Sequence, residues 1–215
     1  MEIYIVHALD DSTKFLNVFE SFFKDNYYVL SSSKESLDLI LEGISTLSDN
    51  ALVVFLGHGF YGGLHVIDDE GHNNIFISKT NCNEVFNNKR VLLLSCDSNQ
   101  FIEKIEQANE AIGFGYILSS IEEKQVRIDN YNEYYGEIAE VDINQFNNIY
   151  CNSVIESIKL YLNNSIEFGK IPIYIEFYIN KAIMETLEQK DNPVRKDLTR
   201  LLFMFRDEMR YLKNK

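Results

Sequence analysis

Apolar residues in this chain follow two rhythms, and the alternation between them outlines a fold. Short unbroken runs predict strands over residues 2–6, 27–30, 52–56 and 91–94. Between them, apolar positions recur at helical spacing. Phe15, Leu16, Phe19, Phe22 and Phe23 form one such stripe behind the capping residues Asp10-Asp11-Ser12. Ser33 caps a second, with Leu37, Leu39, Ile40, Leu41 and Ile44. Residues 64–67 and 75–77 flank the polar turn Asp68-Asp69-Glu70-Gly71 and read as a hairpin. Short helices are expected over 79–86 and 101–107, with a strand over 111–119. Strand alternating with helix predicts a mostly parallel α/β sheet, and uninterrupted apolar strands fit burial on both faces.

The remainder is mostly helical. Residues 121–142 are polar and tyrosine-rich with no clear period, and they read as a long loop or small hairpin over the sheet edge. From Ile143 the helical period returns in Phe146, Ile149, Tyr150, Val154, Ile158 and Tyr161, and a further helix follows Pro172. Asn192 and Pro193 mark the start of a last helix carrying Val194, Leu198, Leu201, Leu202, Phe205, Met209 and Leu212. The division expected is one domain over residues 1–190 and a C-terminal helix within 191–215 packed on it.

Two strands stop abruptly on reactive side chains. Residues 52–56 run into Gly57-His58-Gly59, and 91–94 run into Ser95-Cys96-Asp97-Ser98. In an open parallel sheet, residues just past the carboxyl ends of neighbouring strands face one crevice. His58 and Cys96 are therefore expected side by side, as a base and a thiol nucleophile. Imidazole suits proton transfer near neutral pH. Attack on an amide builds charge on the carbonyl oxygen, and the backbone N–H groups of Gly59 and Cys96 are the candidates to stabilise it. Cys82 and Cys151 fall in helical periods and read as structural.

The order strand-Gly-His-Gly, glycine-bearing hairpin, strand-Ser-Cys-Asp-Ser resembles the caspase-like cysteine peptidases, closest to the bacterial CHAT branch. The resemblance spans about residues 1–190 and includes the helix after Gly169-Lys170-Ile171-Pro172. It implies a caspase-like α/β domain with a helical C-terminal extension, and peptide-bond cleavage by His58 and Cys96 without a cofactor. It also implies an activating protein partner and a regulatory or defence role in bacteria, with residues 121–142 as a disordered loop that holds the enzyme inactive. The strand after Ile112 lacks the tryptophan common in CHAT domains, and the chain has no Trp. Specificity residues are therefore not carried over. Asp97, Glu122 and Glu123 are the candidates for contacting a basic residue at the cleavage point.

Composition narrows the partners. The net charge of −13 is uneven: 9 basic against 24 acidic residues before residue 151 give −15, and the rest carries +2. So acidic a body disfavours nucleic acid, which needs a basic surface, and steers basic peptides toward it. No apolar run approaches the roughly 20 residues of a membrane helix, and the first residues read as a strand rather than a signal peptide. A cytoplasmic protein acting on a protein or peptide substrate is expected. Three unevenly spaced cysteines argue against a disulfide framework. His58, His65, His72 and Cys82 lack usual zinc spacing, so no metal is expected; His7 reads as a surface or core residue. Two other readings share the fold. One is a binding or regulatory module without turnover, and the other is a hydrolase or acyltransferase acting on a small amide.

Overall fold

The computed structural model of the protein describes residues 1–214. Its strands, in chain order, are β1 (Ile3–Ala8), β2 (Tyr27–Leu30), β3 (Leu52–Leu56), β4 (His58–Phe60), β5 (Gly63–Ile67), β6 (Asn73–Ser78), β7 (Arg90–Leu94), β8 (Glu110–Gly113) and β9 (Arg210–Lys213). Six form a sheet in the order β2-β1-β3-β7-β8-β9, and β4-β5-β6 form a small separate antiparallel sheet. All pairs in the larger sheet are parallel except β8 with β9. The helices are α1 (Val18–Phe23), α2 (Lys34–Thr46), α3 (Cys82–Val85), α4 (Ser98–Phe101), α5 (Ile121–Tyr131), α6 (Glu140–Leu162), α7 (Ile171–Glu188) and α8 (Arg195–Asp207).

The strand period of two sorts the core into two halves. Ile3, Ile5, Leu52, Val54, Leu92 and Leu94 pack on one face with residues of α1, α6, α7 and α8. Tyr4, Val6, Val53, Phe55, Val91 and Leu93 pack on the other with α2, α3, α4 and the small sheet. Side chains of both sets are buried, which is why these runs are apolar without a polar alternation. The expected mostly parallel sheet flanked by helices is present. No helix among the described residues is long and apolar enough to cross a membrane.

Four segments depart from the sequence reading. The helix expected over 101–107 is instead α4, which ends at Phe101, followed by a 3-10 turn over Ile102–Lys104. The strand expected over 111–119 ends at Gly113. Beyond it the backbone is engaged elsewhere: Phe114 O accepts from Asn99 N, Gly115 O from Asp97 N, and Tyr116 N donates to the Glu208 carboxylate. Residues 121–142 are not a loop or hairpin, because 121–131 form α5. Ser120 Oγ accepts from Glu123 N at 3.2 Å, while Glu123 Oε2 accepts from Ser119 N at 2.7 Å, so hydrogen bonds at its amino end fix this helix. The segment 191–215, expected as one helix, holds α8 from Arg195 and then β9. Asn192 caps nothing helical; its Oδ1 accepts from Val194 N at 3.0 Å in the preceding turn. Leu212 pairs with Ala111 across the edge of β8, so β9 closes an edge that would otherwise expose unpaired backbone.

Candidate active site

Three adjacent parallel strands end at one edge of the sheet. Register sets His7 of β1 beside Leu56 of β3, and Leu56 beside Leu94 of β7. Just past these ends come Asp10, His58 and Cys96. Gly57 makes the turn out of β3 possible. Its φ is +147°, and a Cβ there would lie 2.8 Å from Ala8 Cβ. Its N–H donates to Leu94 O at 3.3 Å, tying the β3 end to the β7 end.

His58 is held by Asp10. Nε2 lies 2.7 Å from Asp10 Oδ2 and 3.1 Å from Ser12 Oγ. Ser12 also donates its hydroxyl and its backbone N–H to Asp10 Oδ1, at 2.7 and 2.8 Å. Burial alone would raise the Asp10 carboxyl, but the hydrogen bonds from His58 and Ser12 outweigh it and hold the group at about 2. An ionised carboxylate only accepts, so His58 Nε2 carries the shared hydrogen, which leaves Nδ1 as the ring nitrogen free to exchange a proton. His65 stacks on His58 with ring centroids 5.3 Å apart. Burial, then the charge of His58, lower His65 to about 4, which makes it a neutral shelf near pH 7.

Cys96 is half-buried as a residue, but its sulfur is crowded. It donates to Ile117 O and accepts from Ile117 N, both at 3.4 Å. Burial, reinforced by the charge of Glu123, pushes the thiol up to about 12. His58 and Cys96 line one cavity with Gly57, Ser95, Glu123 and Tyr150. Its volume is about 30 Å³, room for one water molecule. The resting site thus holds a neutral thiol beside a space with room for one water molecule.

Gly59 packs directly on the cysteine turn. A Cβ there would lie 2.6 Å from Ser95 Oγ and 2.8 Å from Cys96 O. Phe60 pairs with Gly63 around a two-residue turn, and Gly59 with Leu64 comes next. That register puts Gly59 at the non-hydrogen-bonded position, where its N–H turns away from β5. The N–H groups flanking that of Cys96 are engaged, Ser95 N by Leu93 O at 3.0 Å and Asp97 N by Gly115 O at 3.1 Å.

The candidate acids divide. Glu122 and Glu123 line a cleft of about 790 Å³ that also reaches His58. Asp97 lines neither space; its φ of 54° makes the turn into α4. His7 is buried within β1, its Nδ1 bonded to the Tyr27 hydroxyl, and burial lowers it to about 4. Cys82 and Cys151 are buried and free. His72 comes together with Asp68 and Glu70 on an exposed turn, where Asp68 already accepts backbone N–H groups from Glu70 and His72.

Sequence reading missed Asp10, taken only as a helix cap, and the stacking of His65. Asp10 follows the third of three neighbouring strand ends. The rule that pairs His58 with Cys96 would have found it, had the order β1-β3-β7 been known. A scan against protein-family models finds no match for the chain, and neither does a search of curated protein sequences.

Proposed function

We propose that the chain is a cysteine endopeptidase of the caspase-like kind, with Cys96 as nucleophile and His58 as base. The observation that carries this reading is the convergence of Asp10, His58 and Cys96 at the ends of three adjacent strands, with His58 and Cys96 among the residues that line one cavity. The order of glycine-flanked histidine, hairpin and cysteine turn supports the CHAT resemblance, as does the sheet flanked by helices.

In this mechanism Cys96 Sγ attacks the scissile carbonyl carbon as its proton passes to His58 Nδ1. Because the resting thiol is neutral, transfer and attack are coupled rather than preceded by a stable thiolate. The N–H groups of Gly59 and Cys96 take the oxyanion. His58 returns the proton to the leaving amine, the C–N bond breaks, and a thioester forms. Water, deprotonated by His58, then releases the acid and restores the thiol. Asp10 is a positioning residue: it fixes the tautomer and ring, and stabilises the imidazolium that forms.

A chamber with room for one water cannot seat a peptide carbonyl. The resting form is therefore latent, and activation moves the 117–123 segment off Cys96, a step suited to a protein partner. Three free thiols fit a reducing, cytoplasmic setting. The test is exposure of the protein, alone and with cell extract from its source, to a diverse peptide library. The proposal expects cleavage that Cys96→Ala and His58→Ala abolish. Equal cleavage by all three chains, or none under either condition, would sink it.

A further inference from the structure

At the opposite end of the sheet from Cys96 lies a cavity of about 730 Å³ that the mechanism does not use. Arg90, which lines it, opens β7, and Cys96 follows the other end of that strand. At about 3.3 Å of rise per residue the two are roughly 20 Å apart, so an occupant here is not the group that Cys96 attacks. The volume suits a small organic molecule. Half-buried Ile166 and Tyr211 supply an apolar wall.

Its charge runs against that of the chain, which is −13 overall. The cleft beside His58 sets four acids against Lys14, and the cavity beneath Tyr28 is lined by Glu2 and Glu42 with no basic side chain. Here the side chains of Arg90, Lys170 and Lys213 stand against Glu110 and Glu167, a surplus of one positive charge. Glu110 is fully engaged: Oε1 accepts from Arg90 Nε at 2.9 Å and Oε2 from the Tyr211 hydroxyl at 2.6 Å. A second observation is independent of this balance. Tyr161 lines the cavity and is 2% exposed. Its hydroxyl accepts from Arg90 Nη1 at 2.9 Å, while its own hydrogen has no acceptor among the described residues. A buried donor left without a partner is costly, and it calls for an acceptor.

We infer that this cavity is a binding site for a small organic carboxylate, held by Tyr161, Lys170 and Lys213 with its body against Ile166 and Tyr211. The Tyr161 hydroxyl donates to a carboxylate oxygen, and the lysines supply charge-assisted hydrogen bonds. A surplus of one matches a single negative charge. Glu167 and the acidic body of the chain oppose a ligand with several. The site does not depend on the peptidase reading.

The experiment is a titration of the isotope-labelled full-length chain with benzoate, followed by backbone amide chemical shifts. Benzoate is expected to shift the amides of residues 165–170 saturably and to bind at least about tenfold tighter than benzamide, its neutral counterpart. Tyr161→Phe, Lys170→Gln and Lys213→Gln should each weaken benzoate several-fold. Lys34→Gln, at the start of α2, controls for the loss of one positive charge and should leave the affinity intact. Spectra of the free variants report folding directly, and the two exposed lysines carry the test should Tyr161→Phe not fold. Equal binding of benzoate and benzamide overturns the inference, as do shifts that never saturate or lysine variants that bind like the parent chain. Phenyl phosphate binding tighter than benzoate also overturns it, in favour of a phosphate site.

Discussion

Asp10 and His58, 48 positions apart in the chain, meet at 2.7 Å between Oδ2 and Nε2 because β1 and β3 end side by side. The contact has a consequence for acid stability. The Asp10 carboxyl is depressed in the fold to about 2 from an ordinary 3.8. A depressed carboxyl stabilises the fold above its unfolded value, and that contribution is lost as pH falls through the folded value. Roughly 2 kcal/mol should therefore disappear between about pH 4 and pH 2. Chemical denaturation across this range checks it: Asp10→Asn should flatten the acid limb, and an unchanged limb would contradict the hydrogen-bonded carboxylate.

Positioning predicts a kinetic signature for the same residue. Asp10→Asn should lower kcat by about a hundredfold or more while leaving KM nearly unchanged. A purely structural role would instead lower the melting temperature at neutral pH. Paired kinetics and thermal melts distinguish the two.

Cys96 differs from a preformed thiolate. With its thiol pushed up to about 12, no thiolate step should appear below about pH 10 in the ultraviolet absorbance difference between the protein and Cys96→Ser. A step near neutral pH would show a resting thiolate and imidazolium instead. Because the raised group stays protonated in the fold after its unfolded counterpart has ionised, this residue's contribution to stability falls as pH rises above about 9.

Gly59 joins the histidine strand to the cysteine turn with no space to spare. Gly59→Ala puts a methyl 2.6 Å from Ser95 Oγ and 2.8 Å from backbone Cys96 O. The turn must shift, at an expected cost of about 1–3 kcal/mol in denaturation. Activity should fall further than stability, since the displaced N–H is the oxyanion donor in the proposed mechanism. Unchanged activity would remove Gly59 from that role.

The parts legible in the sequence were those set by local pattern. The apolar runs marked β1, β3 and β7 because burial on both faces leaves no polar alternation, and each reactive residue stood out by following such a run. What stayed hidden depends on partners distant in sequence. Met209 and Leu212 continue a helical period, yet the open edge of β8 draws residues 210–213 into a strand. Residues 114–119 look like strand but give their hydrogen bonds to the cysteine turn and to Glu208. Ser120 and Glu123 did carry a legible capping-box signal for α5, masked by the polar surroundings. Asp10 was visible as a cap, and its bond to His58 followed only from strand order.

The central claim, that His58 takes the proton of Cys96 during attack, is tested most directly by a panel of peptidyl acyloxymethyl ketones added to the protein together with cell extract from its source, which supplies the activating partner. The account predicts one adduct by intact mass, mapped to Cys96 with Cys82 and Cys151 unlabelled, forming about a hundredfold slower in His58→Ala. Equal labelling rates in the two chains, or an adduct on another cysteine, would contradict it.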